Sequence, residues 1–385
     1  MVNTYKIVSL GASGAGKTVF LSSMFKALSI QGDYTFFLEV EDRTKEKILN
    51  AIYANVVTGD SWPEGTRYSE VSEWTFTCRV QAPTLEVYTA CRFTYFDYAG
   101  GRLTDSNEED PEFDRIVEEA TTVLGLLDGR KIYELMKEAK NFSVDTFLKK
   151  DLPSIVKRMR KSTVPIHFVI SKWDLIEDEF SLKQVRERLL KIPEFQELIR
   201  MRNAANSPVR LIPVSSIGSG FAIPQPDGGM KKISGAVPRP FQLEAPLACV
   251  LPDGLQARIS ALQKKQGEIE KMPIGTQNVF SGIISVFGRT SQTVLDVFGA
   301  LAFLLPDEYQ FARPVVTVLS RGLSYGVGKH EQSLAERAEK LKQEREASLK
   351  LVKDEASSLQ HAVYNFAVIE NKLMRNFPES ELILT

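Results

Sequence analysis

Cysteine and histidine are scarce in this sequence, with three of each among 385 residues. Cys78, Cys91 and Cys249 lie far apart along the chain and form no CxxC pair. This spacing argues against a disulfide framework and against a thiolate metal site, so a compartment that keeps thiols reduced is the simpler expectation. So few histidines also argue against a histidine-rich metal centre.

An excess of charge of either sign is also lacking. Lys and Arg total 48, Asp and Glu total 49, and the formal net charge is -1. This balance argues against a generally basic nucleic-acid binder and against an acidic tail, so no nucleic-acid partner is indicated. The first residues lack the basic-then-apolar layout of a secretory signal, and a cytoplasmic protein is expected.

The sequence has no long apolar run without charges. Residues 278–305 form the most apolar segment, but Arg289 and Asp296 interrupt it, and a membrane span needs about 20 nearly uncharged residues. Two interpretations of this segment remain open. It is either a buried helical hairpin, or an element exposed in one functional state that contacts a membrane peripherally or binds a partner.

The sequence does contain short apolar runs that alternate with amphipathic helix patterns. This alternation predicts an α/β protein with a mainly parallel sheet flanked by helices. The predicted strands are 5–10, 68–80, 87–96, 121–127, 164–170 and 209–214. The predicted helices among them are 17–29, 43–56, 112–120, 132–139, 144–159 and 182–202.

Strand patterns disappear after residue 272. We therefore predict an α/β domain with insertions at 1–272 and an α-helical domain at 273–385, the latter containing a long amphipathic helix at 331–377. The apolar seam of that helix is Val352, Ala356, Leu359, Val363, Phe366 and Leu373. Its spacing is compatible with packing inside the chain or with a coiled-coil contact to a protein partner or a second copy.

The strongest motif is the segment Gly11–Thr18, which matches GxxxxGK[ST] between a predicted strand and a predicted helix. Glycines let the backbone curl so that its N–H groups surround phosphate oxygens, and the following helix adds the positive end of its dipole. Lys17 is expected to neutralise the β- and γ-phosphates, and the Thr18 hydroxyl is expected to bind Mg²⁺.

Three further segments bear on the identity of the base. The strand 93–96 ends in the DxxG sequence Asp97–Gly100, where Asp97 can hold Mg²⁺ through water and Gly100 can donate its N–H to the γ-phosphate. The strand before Ser171 leads into Ser171-Lys172-Trp173-Asp174. The last strand closes with Pro213-Val214-Ser215-Ser216.

In order and spacing, these segments resemble the conserved motifs of the translation-factor and Ras-like (TRAFAC) class of GTPases. The resemblance covers about residues 4–217 and implies a P-loop GTPase fold, GTP or GDP as the bound nucleotide and Mg²⁺ as the metal ion. The WPEGT loop and the long segments after Gly100 are also similar to large bacterial proteins of this class called double-GTPases, although only one P-loop is present here.

The resemblance also implies roles for individual residues. Asp174 would accept the N1–H and N2–H of guanine, the Lys172 stem would pack on the base, and the Ser215–Ser216 turn would contact guanine O6. A carboxylate suits guanine because adenine lacks that paired donor edge. Ser171 stands where the family usually has Asn or Thr. The predicted nucleotide contacts are Gly11, Ser13, Gly14, Ala15, Gly16, Lys17, Thr18, Val19, Lys172, Asp174, Ser215 and Ser216.

The resemblance is weaker where hydrolysis is concerned. The threonine that closes over Mg²⁺ is assigned to Thr66, with Thr58 and Thr44 as alternatives. The residue after DxxG is Gly101, which has no side chain to orient water, so slow hydrolysis is expected. Arg102 is a candidate arginine finger, as is Arg67, although a surface role is the simpler one for either. The predicted catalytic groups are Lys17, Thr66, Gly100 and Arg102, and the predicted metal ligands are Thr18, Asp97 and Thr66.

Together these features predict a GTP-binding switch with slow hydrolysis. An ATPase, a non-hydrolysing nucleotide-binding module and a membrane-acting large GTPase remain as alternatives. Outside the motifs, Asp128 is expected to cap the helix that follows it, and His167 is expected to be a core histidine.

Overall fold

The computed structural model describes residues 2–63, 65, 71–105, 111–225, 229–254, 257 and 332–384. Thr66, Arg67 and the apolar segment 278–305 lie outside these residues, as does the predicted boundary at 272/273. Of Arg102 only the backbone is described.

Seven strands form one mixed sheet in the order β2-β3-β4-β1-β5-β6-β7. The pairs of β1 with β4 and β5, of β5 with β6, and of β6 with β7 are parallel, whereas β3 runs antiparallel to both neighbours. A separate hairpin consists of β8 and β9. The strands are β1 (Thr4–Gly11), β2 (Phe37–Glu39), β3 (Val71–Gln81), β4 (Val87–Tyr98), β5 (Thr122–Leu127), β6 (Ile166–Ile170), β7 (Val209–Pro213), β8 (Ala222–Pro224) and β9 (Met230–Lys232).

Helices cover both faces of this sheet. They are α1 (Lys17–Leu28), α2 (Arg43–Thr58), α3 (Gly100–Asp105), α4 (Pro111–Glu118), α5 (Gly129–Met136), α6 (Phe142–Thr146), α7 (Leu152–Lys161), α8 (Leu182–Leu190), α9 (Pro193–Ala204), α10 (Ala245–Ala248), α11 (Gln332–Leu349) and α12 (Glu355–Asn376). A π-helical turn, Phe147–Asp151, joins α6 to α7. The predicted fold class is therefore confirmed, as a mainly parallel sheet flanked by helices with a helical C-terminal region.

Two hydrophobic clusters lie on opposite faces of the sheet. In β1, Ile7 belongs to the first cluster, whereas Val8 and Leu10 belong to the second. The first cluster is completed by α1, α2, α10, α11 and α12, and the second by α3 to α9. Strands buried on both faces read as nearly continuous apolar runs, which is why the sequence pattern locates β5, β6 and β7 well.

The C-terminal helix α12 is part of the first cluster. Its Phe366 ring lies edge-on to Phe36 and Phe93, with centroid separations of 5.3 and 5.9 Å. Five of the six predicted seam residues are buried, and Ala356, in the first turn of α12, is exposed. The apolar seam therefore packs inside the chain, which is one of the two contacts that the sequence left open.

The helix predicted over 331–377 is two helices. The break comes at residues 350–354, where Asp354 caps α12 by accepting a hydrogen bond from Ser357 N at 2.8 Å. The two helices pack against each other, and His361 links them because its Nδ1 lies 2.8 Å from the Ser348 hydroxyl. Burial lowers the pKa of His361 to about 4, as expected for a neutral core histidine.

A buried polar network ties α12 to the sheet. Asp253 accepts two hydrogen bonds from Arg210, at 2.5 and 2.6 Å, and lies 2.7 Å from His167 Nε2. Arg210 also donates to Glu370 on α12 at 2.6 Å. Burial raises the pKa of Asp253, but the charge of Arg210 and the hydrogen bonds from His167 and Arg210 together outweigh burial and lower that pKa to about 2. His167 is fully buried, as predicted for a core residue.

Several other details differ from the sequence prediction. The helix predicted over 182–202 is interrupted before Pro193, which begins α9. Cys78 and Cys91, distant in sequence, face each other across β3 and β4 as free buried thiols. None of the helices among the described residues is both long enough and apolar enough to cross a membrane.

Candidate functional site

The segment between β1 and α1 forms an open loop with the geometry that phosphate binding requires. Gly14 and Gly16 have φ angles of +80° and +87°, a region that side chains other than glycine rarely adopt. A Cβ at either position would have no atom within 4 Å, so the backbone angle rather than crowding requires glycine there. Gly16 precedes α1 and makes no side-chain cap, which leaves the first amides of α1 available to an anion.

Lys17 folds back over this loop. Its Nζ donates to the carbonyl oxygens of Gly11 and Ala12, at 2.7 and 3.4 Å, and only 8% of the residue is exposed. Burial lowers the pKa of Lys17, and the nearby charge of Asp97 partly offsets that shift. A buried cation with mainly carbonyl neighbours would gain from an incoming anion.

Asp97 and Gly100 reach the same loop from the end of β4. Asp97 lies opposite Ser9 in the register of β1 and β4, is 3% exposed and interacts electrostatically with Lys17. Gly100 begins α3 directly against the loop: a Cβ there would lie 2.4 Å from Ser13 N and 2.6 Å from the Ala12 carbonyl carbon.

We therefore expect Gly100→Ala to lower the free energy of unfolding by about 1–3 kcal/mol, because the new methyl group must displace the loop backbone. Urea denaturation measures this change. Gly32→Ala is the matched control, since its Cβ would meet only one atom, at 4.0 Å, and its effect should stay within about 0.5 kcal/mol. Equal stability of Gly100→Ala and Gly32→Ala would contradict the close packing.

Lys172 connects the phosphate loop to the end of β6. Its Nζ donates to Gly14 O at 3.0 Å and to Asp128 Oδ1 at 2.9 Å. Its backbone has a φ of 52°, an uncommon conformation for a lysine and one found disproportionately at functional sites. Asp128 also caps α5, as predicted, by accepting from Arg130 N at 3.0 Å.

Asp174 follows β6 and Ser215 follows β7. We call these two residues the outer end of the site. The Ser215 hydroxyl donates to Asp174 Oδ1 and accepts from Gly218 N at 2.8 Å. Asp174 is only partly buried, and burial raises its pKa above the usual range of an aspartate. The hydroxyl leaves the second carboxylate oxygen of Asp174 outside this hydrogen bond, so the carboxylate can accept further donors.

The hairpin β8–β9 joins this end of the site to the segment that precedes residue 66. Lys232 Nζ donates to the carbonyl oxygens of Asn55, Gly59 and Ser61 at 2.7–2.8 Å. The Trp62 ring lies under the same ammonium, 4.9 Å from its centroid. Val19, two residues after Lys17, packs against the small cluster of Ile217 and Phe221 beside Trp62.

The structure thus brings most of the predicted site residues together at the carboxyl ends of β1, β4, β6 and β7. The contacts run from Asp97 and Gly100 through the loop Gly11–Thr18 to Lys172, and Asp174 and Ser215 follow at the outer end. Thr58 ends α2, where its hydroxyl donates to Ala54 O, and Thr44 lies in the first turn of α2. Neither alternative to Thr66 lies in a loop, and Thr66 stays a prediction.

One contact of Asp128 and one of Trp173 were not predicted. The ion pair of Asp128 with Lys172 could have been found, because the carboxyl ends of β5 and β6 are neighbours in a parallel sheet. The packing of Trp173 on Phe377 carries no sequence signal, because the two rings come from distant parts of the chain.

No family model matches the chain, and no curated protein matches it. Among solved structures, it is similar to the signal recognition particle receptor SRb-GTP/SRX complex from Chaetomium thermophilum, with 16% identity, a TM-score of 0.31 and coverage of 57% of this chain and 94% of that one. It is also similar to sup35 complexed with GDP, with 14% identity and a TM-score of 0.29, over 56% of this chain and 38% of that one.

Proposed function

We propose that this protein binds GTP and GDP with Mg²⁺, hydrolyses GTP slowly and acts as a nucleotide-controlled switch. The proposal depends mainly on the arrangement of Asp174 and Ser215, the outer end of the site. A carboxylate, Asp174, is held by Ser215 beside a phosphate loop to which Lys172 is hydrogen-bonded. Guanine presents two adjacent donors that such a carboxylate can accept, and adenine does not.

The residues present fit a magnesium ion. Thr18 lies partly exposed at the first turn of α1, and the carboxylate of Asp97 is buried beside Lys17. Oxygen donors of this kind, few in number and next to a phosphate loop, suit Mg²⁺, which keeps water and phosphate oxygens among its ligands. A Mg²⁺ ion held by Thr18 and Asp97 would supply positive charge that neutralises the phosphates. Thr66 is proposed as a further ligand.

The chain's own residues supply the binding and the charge compensation. Lys17, already desolvated, exchanges the carbonyl oxygens of Gly11 and Ala12 for phosphate oxygens. The first amides of α1 and the Gly100 N–H are proposed to contact the phosphates. Gly101 offers no side chain to orient water, so hydrolysis is proposed to be slow unless Arg102, a partner or a second copy contributes.

The switch itself is proposed to consist of Thr66 and the segment 97–102, which would order around the γ-phosphate and relax after its loss. The protein is proposed to be a cytoplasmic member of the TRAFAC class. Its helical C-terminal region would report the nucleotide state to a protein partner or a second copy. Peripheral membrane contact through residues 278–305 is the alternative use of that region.

Purified protein is expected to bind GDP and GTP in preference to ADP and ATP, and to release phosphate from GTP at less than about 1 s⁻¹. Titration with fluorescent nucleotides measures the first property, and multiple-turnover phosphate release measures the second. Turnover by the monomer above that rate would contradict slow hydrolysis. The absence of phosphate release in a single turnover would favour a non-hydrolysing binding module.

A further inference from the structure

We propose that Phe377, the residue that follows α12, is a positioning residue for guanine recognition. It would fix the position of the loop that contains Asp174 relative to the loop that contains Ser215. The inference rests on the function proposed above and adds to it a specificity-determining role for the end of the chain.

Phe377 contacts two aromatic rings, Trp173 beside Asp174 and Phe241 in the segment that pairs with Ser215. Its ring is 6.1 Å from that of Trp173 at an interplanar angle of 89°, and 6.1 Å from that of Phe241 at 74°. Both are edge-to-face contacts, the arrangement that aromatic pairs prefer. We name these three residues, Trp173, Phe241 and Phe377, the aromatic brace.

Each partner of Phe377 is tied to one base-recognition residue. Trp173 immediately precedes Asp174, is 2% exposed and donates its backbone N–H to Val214 O at 3.1 Å. Phe241 exchanges two backbone hydrogen bonds with Ser215, at 3.0 and 2.8 Å. A movement of Phe377 would therefore be transmitted to both ends of the hydrogen bond between Ser215 and Asp174.

The residues before and after Phe377 in the C-terminal segment are anchored to the rest of the fold. Its N–H donates to Leu373 O at 2.8 Å, and Leu373 is buried in the first cluster. Earlier in α12, Glu370 pairs with the buried Arg210. After Phe377, Leu382 N donates to Val209 O at 2.9 Å, so the chain pairs with the edge of β7. Anchors on both sides make Phe377 a rigid support rather than a loosely packed ring.

The test compares nucleotides that differ at a single donor. IDP lacks the 2-amino group of GDP, so the ratio of the two dissociation constants reports how well Asp174 accepts the N2–H. In Phe377→Ala we expect GDP affinity to fall about tenfold and this ratio to move toward one, because two aromatic contacts are lost. Phe377→Tyr keeps the ring and should restore the ratio.

The matched control is Leu359→Ala, a buried position in α12 about 27 Å from Phe377 along the helix axis. It should lower stability while leaving the ratio at the wild-type value. An unchanged ratio in Phe377→Ala would overturn the inference and leave the proposed function standing. Wild-type protein that does not distinguish GDP from IDP would instead overturn the guanine assignment. If Phe377→Ala does not fold, Phe377→Leu provides the same comparison.

Discussion

Lys17→Ala is expected to remove nucleotide binding. Truncating one partner of a buried, charged hydrogen-bonded pair costs about 2–5 kcal/mol, which corresponds to roughly 30- to 4,000-fold in affinity. Lys17 meets that description because it is buried at the concave side of the loop and bonded to carbonyl oxygens that phosphate oxygens would replace. Titration with fluorescent GDP measures the loss.

The stability of the variant separates a binding role from a structural one. Burial lowers the pKa of Lys17, which means that the charged ammonium is unfavourable in the folded protein when no anion is bound. Removing it should therefore leave the melting temperature of the unliganded protein nearly unchanged. Lys26→Ala, in the last turn of the same helix and exposed, is the control and should bind GDP normally. A Lys17→Ala protein with GDP affinity within threefold of wild type would contradict the phosphate-loop assignment.

The parts of the site that could be predicted are those that local chemistry determines. Gly14 and Gly16 adopt positive φ angles, which the spacing of glycines in the motif already indicated. Asp97, Asp174 and Ser215 each follow an apolar run, and parallel strands bring their carboxyl ends to one edge of the sheet. Local sequence and strand direction were therefore sufficient to place these residues near one another.

The parts that could not be predicted depend on contacts between distant segments. β2 has three residues and is recognisable only by its antiparallel pairing with β3. The seam of α12 was also compatible with a coiled coil, because its partners, Phe36 and Phe93, come from other elements far away in sequence. The aromatic brace is of the same kind, since no local pattern relates Phe377 to Trp173.

The break between α11 and α12 is a different case. Charged and apolar residues continue through 350–354 without a proline or glycine, so periodicity alone predicts one helix. In the folded chain, Asp354 and Ser357 form a reciprocal cap that begins a new helix. Packing of both helices in one cluster stabilises the turn between them, and that energy is not visible in the sequence.

Asp174→Asn is expected to change the preferred base from guanine to xanthine. The carboxylate is proposed to accept two donors from guanine, and a hydrogen bond to a charged group is worth about 1.5–3 kcal/mol. The amide of the variant can still accept the N1–H, but it opposes the guanine amino group with a donor. Loss of that one bond should weaken GDP binding by roughly 10- to 150-fold. Xanthine carries a carbonyl oxygen where guanine has its amino group, so the amide introduced by the substitution can donate to that oxygen while its own oxygen accepts the N1–H.

The structure indicates that Asp174→Asn preserves the surroundings of residue 174. The Ser215 hydroxyl donates to Asp174 Oδ1, and an amide oxygen at the same position can accept that bond, so the loop geometry should persist. Competition of GDP, XDP and ADP against a fluorescent nucleotide measures the change. Asp178→Asn, an exposed carboxylate four residues later, is the control and should leave the preference for GDP intact. If Asp174→Asn keeps the wild-type order of affinities, Asp174 does not recognise the base. Wild-type protein that binds ADP more tightly than GDP would instead favour an ATPase with the same phosphate loop.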